Sequence, residues 1–360
     1  MSKHASASSS RLPQLSRRTC LAAAGLAAST LLLPALLTGC GEEKKPAAAT
    51  TTTAAASAKP DLIPVGVVQL VEHEALDATV RGFIDALAER GWKEGEKIRI
   101  DRQNAQGDQA TLAAIGTRFV SAKSQLIFAS STPALQAMAR ATKTIPIVAT
   151  AVTSFEAAKV VASDKAPGGN VTGVSNLGPI AAQLDLLIAL TGDATKSSPI
   201  GVVFNPAEVN AEFQVARLRA QAEKRGVKVI EAAAGSVNDV PQAIHSMKGK
   251  VCGLWLPTDN VLASAAATVA KLARDAKLPV VASDSAMVRA GALASISVDY
   301  YELGRMTGAL GADILEGKRT PAATPIAFQE TRQPLINRSA AAAIGLAVPE
   351  VVAAKSAFID

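Results

Sequence analysis

Polar residues able to hold a charged ligand recur in this chain at one kind of place, directly after short apolar runs. Val71-Glu72-His73-Glu74 follows the run Pro64–Leu70, Ser130-Ser131-Thr132-Pro133 follows Leu126–Ala129, and Ala151-Val152-Thr153-Ser154 follows Ile145–Thr150. Further along, Asn205-Pro206, Pro257-Thr258-Asp259-Asn260, Ser283-Asp284-Ser285 and Asp299-Tyr300-Tyr301 each follow a similar run. Hydroxyls at helix starts sit beside backbone N–H groups that can hold a carboxylate. Desolvated carboxylates can hold an ammonium. For a zwitterion, the carboxylate candidates are Ser130, Ser131, Thr132 and Thr153, and the ammonium candidates are Asp259, Asp284 and Glu72. Asn205, Thr258, Asn260 and Asp299 stand beside them. Asp259 is favoured, because Thr258 and Asn260 flank it at a strand-to-helix turn. Each of these residues also has a local use as a helix cap, and for Asp259 the helix would be Val261–Ala276.

No constellation for catalysis accompanies them. Gly173-Val174-Ser175-Asn176-Leu177 lacks the second glycine of a nucleophile elbow. Gly317-Lys318 lacks a phosphate-loop glycine at the required spacing. His73 and His245 lie far apart in sequence, and Glu72-His73-Glu74 offers no helical i, i+4 ligand pair for a metal. Catalytic residues, metal and cofactor are all expected to be none.

The elements that must place these side chains alternate strand and helix. Pro64–Leu70, Lys97–Arg102, Leu126–Ala129, Ile145–Thr150 and Val171–Ser175 read as strands, with helices at Ala75–Arg90, Asp108–Ser121 and Pro133–Ala141 between them. After the break at Pro167-Gly168-Gly169-Asn170 a second cycle runs through the strands Ile200–Phe204, Val227–Glu231, Val251–Leu256, Val280–Ala282 and Leu293–Val298. Strands separated by helices mean βαβ units on parallel sheets. The fold class is α/β, with two lobes and a cleft between them. Ligands of open α/β sheets bind beyond the carboxyl ends of the strands, where the polar clusters fall.

Aromatic residues are only 3% of the 360, which disfavours a surface built on stacked rings. The formal charge of +6 owes much to residues 1–39, which hold Lys3, Arg11, Arg17 and Arg18 and no acid. No basic stripe is left for nucleic acid. Cys20, Cys40 and Cys252 form no CxxC motif, and Cys252 reads as an inert core thiol. Ser16-Arg17-Arg18-Thr19-Cys20-Leu21 ahead of an apolar stretch is similar to a twin-arginine export signal. That stretch ends in Leu37-Thr38-Gly39-Cys40, which resembles the lipobox of bacterial lipoproteins. The alternative is an uncleaved anchor, since about 20 apolar residues span a bilayer. An Ala/Thr-rich tether then runs to about Pro60.

The strand-end segments carry a family resemblance. Val71-Glu72-His73-Glu74-Ala75-Leu76-Asp77-Ala78, Gln103-Asn104-Ala105-Gln106-Gly107-Asp108, Pro167-Gly168-Gly169-Asn170-Val171-Thr172-Gly173-Val174, Pro257-Thr258-Asp259-Asn260 and Asp299-Tyr300-Tyr301-Glu302-Leu303-Gly304 resemble a family of ABC-transporter substrate-binding lipoproteins. The likeness runs from about 64 to 347, with departures at Pro199 and around Gln329–Pro334. It implies a type I periplasmic-binding fold and a non-enzymatic protein of the tryptophan/tyrosine-uptake type. Such a protein delivers a small solute to a permease and its ATPase.

The expected organisation is an export signal at 1–39 and a lipidated Cys40 with a flexible tether at 40–61. The N-terminal lobe is expected at 62–175 plus about 299–325, and the C-terminal lobe at 176–298 plus about 326–360. The expected protein is a monomer, exported and held to the membrane by its lipid. Arginine is scarce among the strand-end residues, which disfavours phosphate or dicarboxylate. The expected ligand is an amino acid with an apolar or aromatic side chain. A receptor module for a membrane signalling protein, or a binder of another small metabolite, is the alternative. A transcriptional regulator would need a basic helix-turn-helix at the N-terminus, where an export signal stands instead.

Overall fold

The computed structural model describes residues 61–330 and 333–360. The expected signal, Cys40 and nearly all of the tether lie outside them. The first lobe is built from β1 (Ile63–Gln69), α1 (Glu74–Glu89), β2 (Ile98–Asn104), α2 (Gln109–Ser121), β3 (Leu126–Ser130), α3 (Thr132–Ala141), β4 (Ile147–Val152) and β5 (Val171–Ser175). The second begins with α4 (Ile180–Thr191), α5 (Ala194–Ser197), β6 (Ile200–Phe204), α6 (Val209–Lys224), β7 (Val229–Ala233) and α7 (Val240–Met247). It continues through β8 (Leu254–Leu256), α8 (Asn260–Ser264), α9 (Ala266–Asp275), β9 (Val280–Ala282), α10 (Ser285–Arg289) and β10 (Ala294–Ser295). The last stretch holds α11 (Tyr300–Leu315), β11 (Ala327–Phe328), β12 (Leu335–Asn337), α12 (Arg338–Ile344), α13 (Glu350–Ala353) and β13 (Ala357–Ile359).

The first sheet has the order β11-β5-β4-β3-β1-β2 and is parallel throughout. The second has the order β13-β12-β10-β9-β8-β6-β7, and only β10 with β12 is antiparallel. Strands β3, β4, β5 and β6 are buried along their whole length, which explains why they read as unbroken apolar runs. Phe83 of α1 stacks on Phe128 of β3 with ring centroids 4.1 Å apart. In the second lobe the Trp255 ring is buried in β8, and its N–H donates to Gln183 Oε1 at 3.1 Å.

Helix α11 follows the second lobe in sequence but packs on the first. Its Gly304 lies so close to α1 that a Cβ there would stand 2.2 Å from the Thr79 carbonyl oxygen. Gly82 of α1 meets the Tyr301 carbonyl in the same way, at 2.1 Å. Small residues at the crossing let the two backbones touch. Arg305 and Glu89 flank it with two hydrogen bonds of 2.7 Å, and Tyr301 donates to Asp85 at 2.9 Å.

Some expected elements have other bounds. The helix expected over Val261–Ala276 is divided at Ala265 into α8 and α9. Ladder pairing in Leu293–Val298 is confined to Ala294–Ser295. Strand β11 pairs with β5, so the first sheet keeps the chain to Phe328. The return to the second sheet falls between Phe328 and Leu335, slightly later than the expected boundary at about 325.

Candidate ligand-binding site

The carboxyl ends of both sheets face a small cavity of about 30 Å³. His73, Leu76, Ala151 and Tyr300 line it from the first lobe, and Asn176 stands at the first crossing between lobes. Asn210, Thr258, Asp259, Asn260, Leu262, Asp284 and Met287 line it from the second. Each polar residue stands where a strand hands over to a helix. His73 is the N-cap of α1, Asp259 of α8 and Asp284 of α10.

Both oxygens of Asp259 are engaged by backbone N–H groups. Its Oδ1 accepts from the N–H groups of Val261 at 2.9 Å and Leu262 at 3.1 Å, and its Oδ2 accepts from Asn205 N–H at 2.6 Å. It closes the start of α8 and ties that turn to the end of β6. Burial and the neighbouring Glu208 push its pKa up to about 7, against the pull of those three N–H groups. Glu208 is raised as well, chiefly by burial.

Asp284 is different. Its Oδ1 accepts from Ala286 N–H at 2.8 Å, and its other oxygen has no partner among the described residues. Burial pushes its pKa up to about 6. It is therefore a desolvated acid that is mostly ionised at neutral pH and has an acceptor to spare.

The carboxylate candidates lie behind the wall rather than in it. Ser130 Oγ shares a 2.7 Å hydrogen bond with Thr79 Oγ1, and Ser131 Oγ caps α3 by accepting from Ala134 N–H. Thr132 is buried at the start of α3. Thr153 Oγ1 donates to Asn176 Oδ1 at 3.3 Å and lies 3.2 Å from Thr258 Oγ1, a contact between lobes. Glu72 is exposed and does not line the cavity. Asn205 lines a neighbouring cleft opening, and Asp299 caps α11 beside another. The structure thus gathers Thr258, Asp259, Asn260 and Asp284 and leaves the other candidates outside the first cavity.

Residues not singled out from sequence complete the site. Asn176 Nδ2 donates to the Tyr300 hydroxyl at 3.1 Å. Asn210 Nδ2 donates to Glu208 Oε2 at 2.8 Å and to the Thr258 carbonyl at 3.0 Å. Ala151 has φ +54° at the irregularity in β4, and Ser131 has φ +108° at the end of β3. Left-handed backbone at non-glycine residues costs on the order of 1–3 kcal/mol each and is held only where surrounding contacts demand it. A strand-end histidine or asparagine was the available signal for His73 and Asn176, and an asparagine in a first helical turn for Asn210. Nothing in sequence separates them from ordinary caps.

Other cross-lobe contacts hold the cleft together. Arg289 of α10 pairs with Glu74 of α1, and Gln214 of α6 reaches both Thr258 Oγ1 and Thr153 Oγ1. Among the described residues no helix is long and apolar enough to cross a membrane, and no cluster of three metal-ligating side chains occurs.

Comparison with known proteins places this geometry. The chain is 43% identical over 284 residues to a "Tyrosine-binding protein" of Clostridioides difficile (strain R20291), covering 79% of this chain and 81% of that one. It overlays an ABC domain in complex with L-Trp from Streptococcus pneumonia with a TM-score of 0.79 at 36% identity, covering 83% of this chain and 100% of that chain. It also overlays the ligand-free, open structure of a substrate binding protein with adhesive properties from Clostridium difficile. There the TM-score is 0.64 at 40% identity, with 83% and 99% covered. Sequence identity is no lower to the open structure, yet the overlay is looser. The two α/β lobes with flanking helices are those of type I periplasmic binding proteins. The family profile described as ABC transporter substrate binding protein matches residues 64–358, and the chain belongs to that family.

Proposed function

We propose that this protein captures a free amino acid with an apolar or aromatic side chain between its lobes. It hands the ligand unchanged to the permease and ATPase of an ABC importer. The observation that carries this reading is Asp284, a buried carboxylate with one oxygen unpartnered among the described residues, at a cavity whose apolar wall includes Leu76, Ala151, Leu262 and Met287. A desolvated acid among apolar walls suits an ammonium next to an apolar side chain. The relatives named for tyrosine and bound to L-Trp support the same ligand class.

The role first given to Asp259 passes to Asp284, because backbone N–H groups occupy both Asp259 oxygens. Thr258, Asn260, Asn176 and Asn210 supply the polar rim. We also place the membrane anchor at Cys40, on the lipobox alone. A Cys40→Ala variant should be released from membranes after export, as loss of the acyl chains would require.

The test of the ligand is calorimetry on stripped protein against the twenty amino acids. Aromatic and large apolar members should bind below millimolar. If none does while a sugar or an anion does, the reading fails.

A further inference from the structure

Two polar atoms of residues that line the cavity make no well-formed hydrogen bond among the described residues, and they come from opposite lobes. They are His73 Nε2 and Asn210 Oδ1, both buried. Their chemistry follows from what the rest of each side chain does. The His73 ring caps α1, with Nδ1 accepting from Leu76 N–H at 3.5 Å. Burial holds its pKa below the ordinary range, against the pull of the neighbouring Asn260 side chain and of the acids Asp77 and Glu74, so the ring is neutral at pH 7. A neutral ring that accepts at Nδ1 carries its proton on Nε2. Nε2, the ring nitrogen without a well-formed hydrogen bond, is therefore a donor.

Asn210 is fixed in the opposite sense. Its amide nitrogen is spent on Glu208 Oε2 and on the Thr258 carbonyl, both acceptors. Glu208 Oε2 also accepts from Asn260 Nδ2 at 2.6 Å and from Asn260 N–H at 3.2 Å. An oxygen that accepts from this many N–H groups does not carry a proton. The amide oxygen of Asn210 is therefore the free end, an acceptor 94% buried, as its 6% exposure gives.

We propose that His73 is a specificity-determining residue that donates its Nε2–H to an oxygen of the ligand. Asn210 is its counterpart, accepting from a ligand N–H or O–H, and Glu208 positions Asn210. This deepens the amino-acid reading and rests on it. A ligand that supplies no oxygen at that point leaves a buried donor unpaired, which is how a site rejects close analogues. Because one orphan sits on each lobe, only a ligand touching both satisfies the closed cleft. The oxygen is either the α-carboxylate, common to all amino acids, or a side-chain hydroxyl such as a phenol.

The test separates capping from ligand contact. His73→Asn keeps a good N-cap but is too short to reach the cavity. His73→Gln places an amide N–H near the Nε2 position and caps less well. Each variant and the parent are titrated with L-tyrosine and L-phenylalanine in a calorimeter, and each is melted without ligand. His73→Asn should bind about 10- to 100-fold more weakly with its melting temperature retained, as loss of one buried hydrogen bond to a ligand predicts. His73→Gln should recover most of that affinity. An equal loss for both amino acids assigns the oxygen to the carboxylate, and a loss for tyrosine alone assigns it to the phenol. If His73→Asn binds both as the parent does, or if affinity in the two variants simply tracks melting temperature, the assignment is wrong. A parent protein that binds neither amino acid overturns the amino-acid reading itself, and this assignment with it.

Discussion

Asn176 donates its side-chain N–H to the Tyr300 hydroxyl at 3.1 Å, and this bond ties two of the chain's crossings between lobes together at the cavity. Asn176 is the first residue after β5, and Tyr300 opens α11. Both side chains are buried, so little else is within reach of the donor. Tyr300→Phe should destabilise the protein by about 1–3 kcal/mol, the cost of leaving a buried donor unpaired. Urea unfolding should show a lower midpoint with an unchanged slope. An unchanged midpoint would mean that the bond contributes nothing.

The two cleft aspartates should separate cleanly. Asp284→Asn should weaken binding of the preferred amino acid by ~2–5 kcal/mol, the range for removing one partner of a buried charge pair. Without ligand it should be neutral or slightly stabilising, since an unpaired buried charge is itself costly. Asp259→Asn should do the reverse and lose about 1–3 kcal/mol of stability. It leaves Asn205 N–H facing an amide nitrogen, while the Asp284 ligand contact stays intact. Melting curves and calorimetry on both variants check this. Equal loss of affinity in both would reinstate Asp259 as a ligand contact.

Stability and affinity should respond to pH with opposite signs. Asp284 at about 6 and Asp259 at about 7 lie above the ordinary value of 3.8 that the unfolded chain approaches. Between about pH 4 and 7 the folded protein therefore binds more protons at these groups than the unfolded chain. Its ligand-free stability should fall as pH rises through that window. Glu208, also raised, adds to the trend. His73, lowered by burial, opposes it, because its contribution to stability rises with pH up to about 6.5 and is level above. Ligand affinity should instead rise through about pH 6 as Asp284 ionises. Melting and calorimetry from pH 4.5 to 8 give both slopes, and parallel slopes would count against Asp284 as the ammonium acceptor.

Gly304→Ala tests the crossing of α1 and α11. A Cβ placed 2.2 Å from a carbonyl oxygen forces the helices apart, and overpacking of this kind costs about 1–3 kcal/mol or more. A clear drop in melting temperature is expected, and a melting temperature at or above the parent's would show that the crossing yields easily.

The strands were legible because burial on both faces leaves an apolar run that polar loops cannot imitate, as in Leu126–Ser130 and Ile147–Val152. The short pieces were not. A five-residue helix such as α10 has too few turns to show a period, and the division at Ala265 lies within a continuous helical pattern. The pairing of β12 against β10 depends on contacts distant in sequence. For the site, the strand-end rule reached the edge of each sheet that meets the cavity but did not show how each atom there is bonded. Asp259 and Asp284 look alike as strand-end acids, and they differ only in how many backbone N–H groups each meets. Ser130 and Ser131 have the chemistry of a carboxylate site but spend it on Thr79 and on α3.

The close seating of α11 on α1 also governs the order in which the chain can be finished. The apolar face of α1, with Phe83 and Leu87, is covered on the first lobe's outer side by a helix that begins at Tyr300. A ribosome must therefore make β6 through β10 before the first lobe has its last helix, and β11 comes later still. The second lobe in turn waits for β12 and β13. Neither lobe is a contiguous piece of chain, so each half made alone would expose core that the other end of the polypeptide supplies. Such long-range closures are slow relative to local helix pairing. The first lobe is complete only once β11 is made and the second only once β13 is made, so the two are finished nearly together.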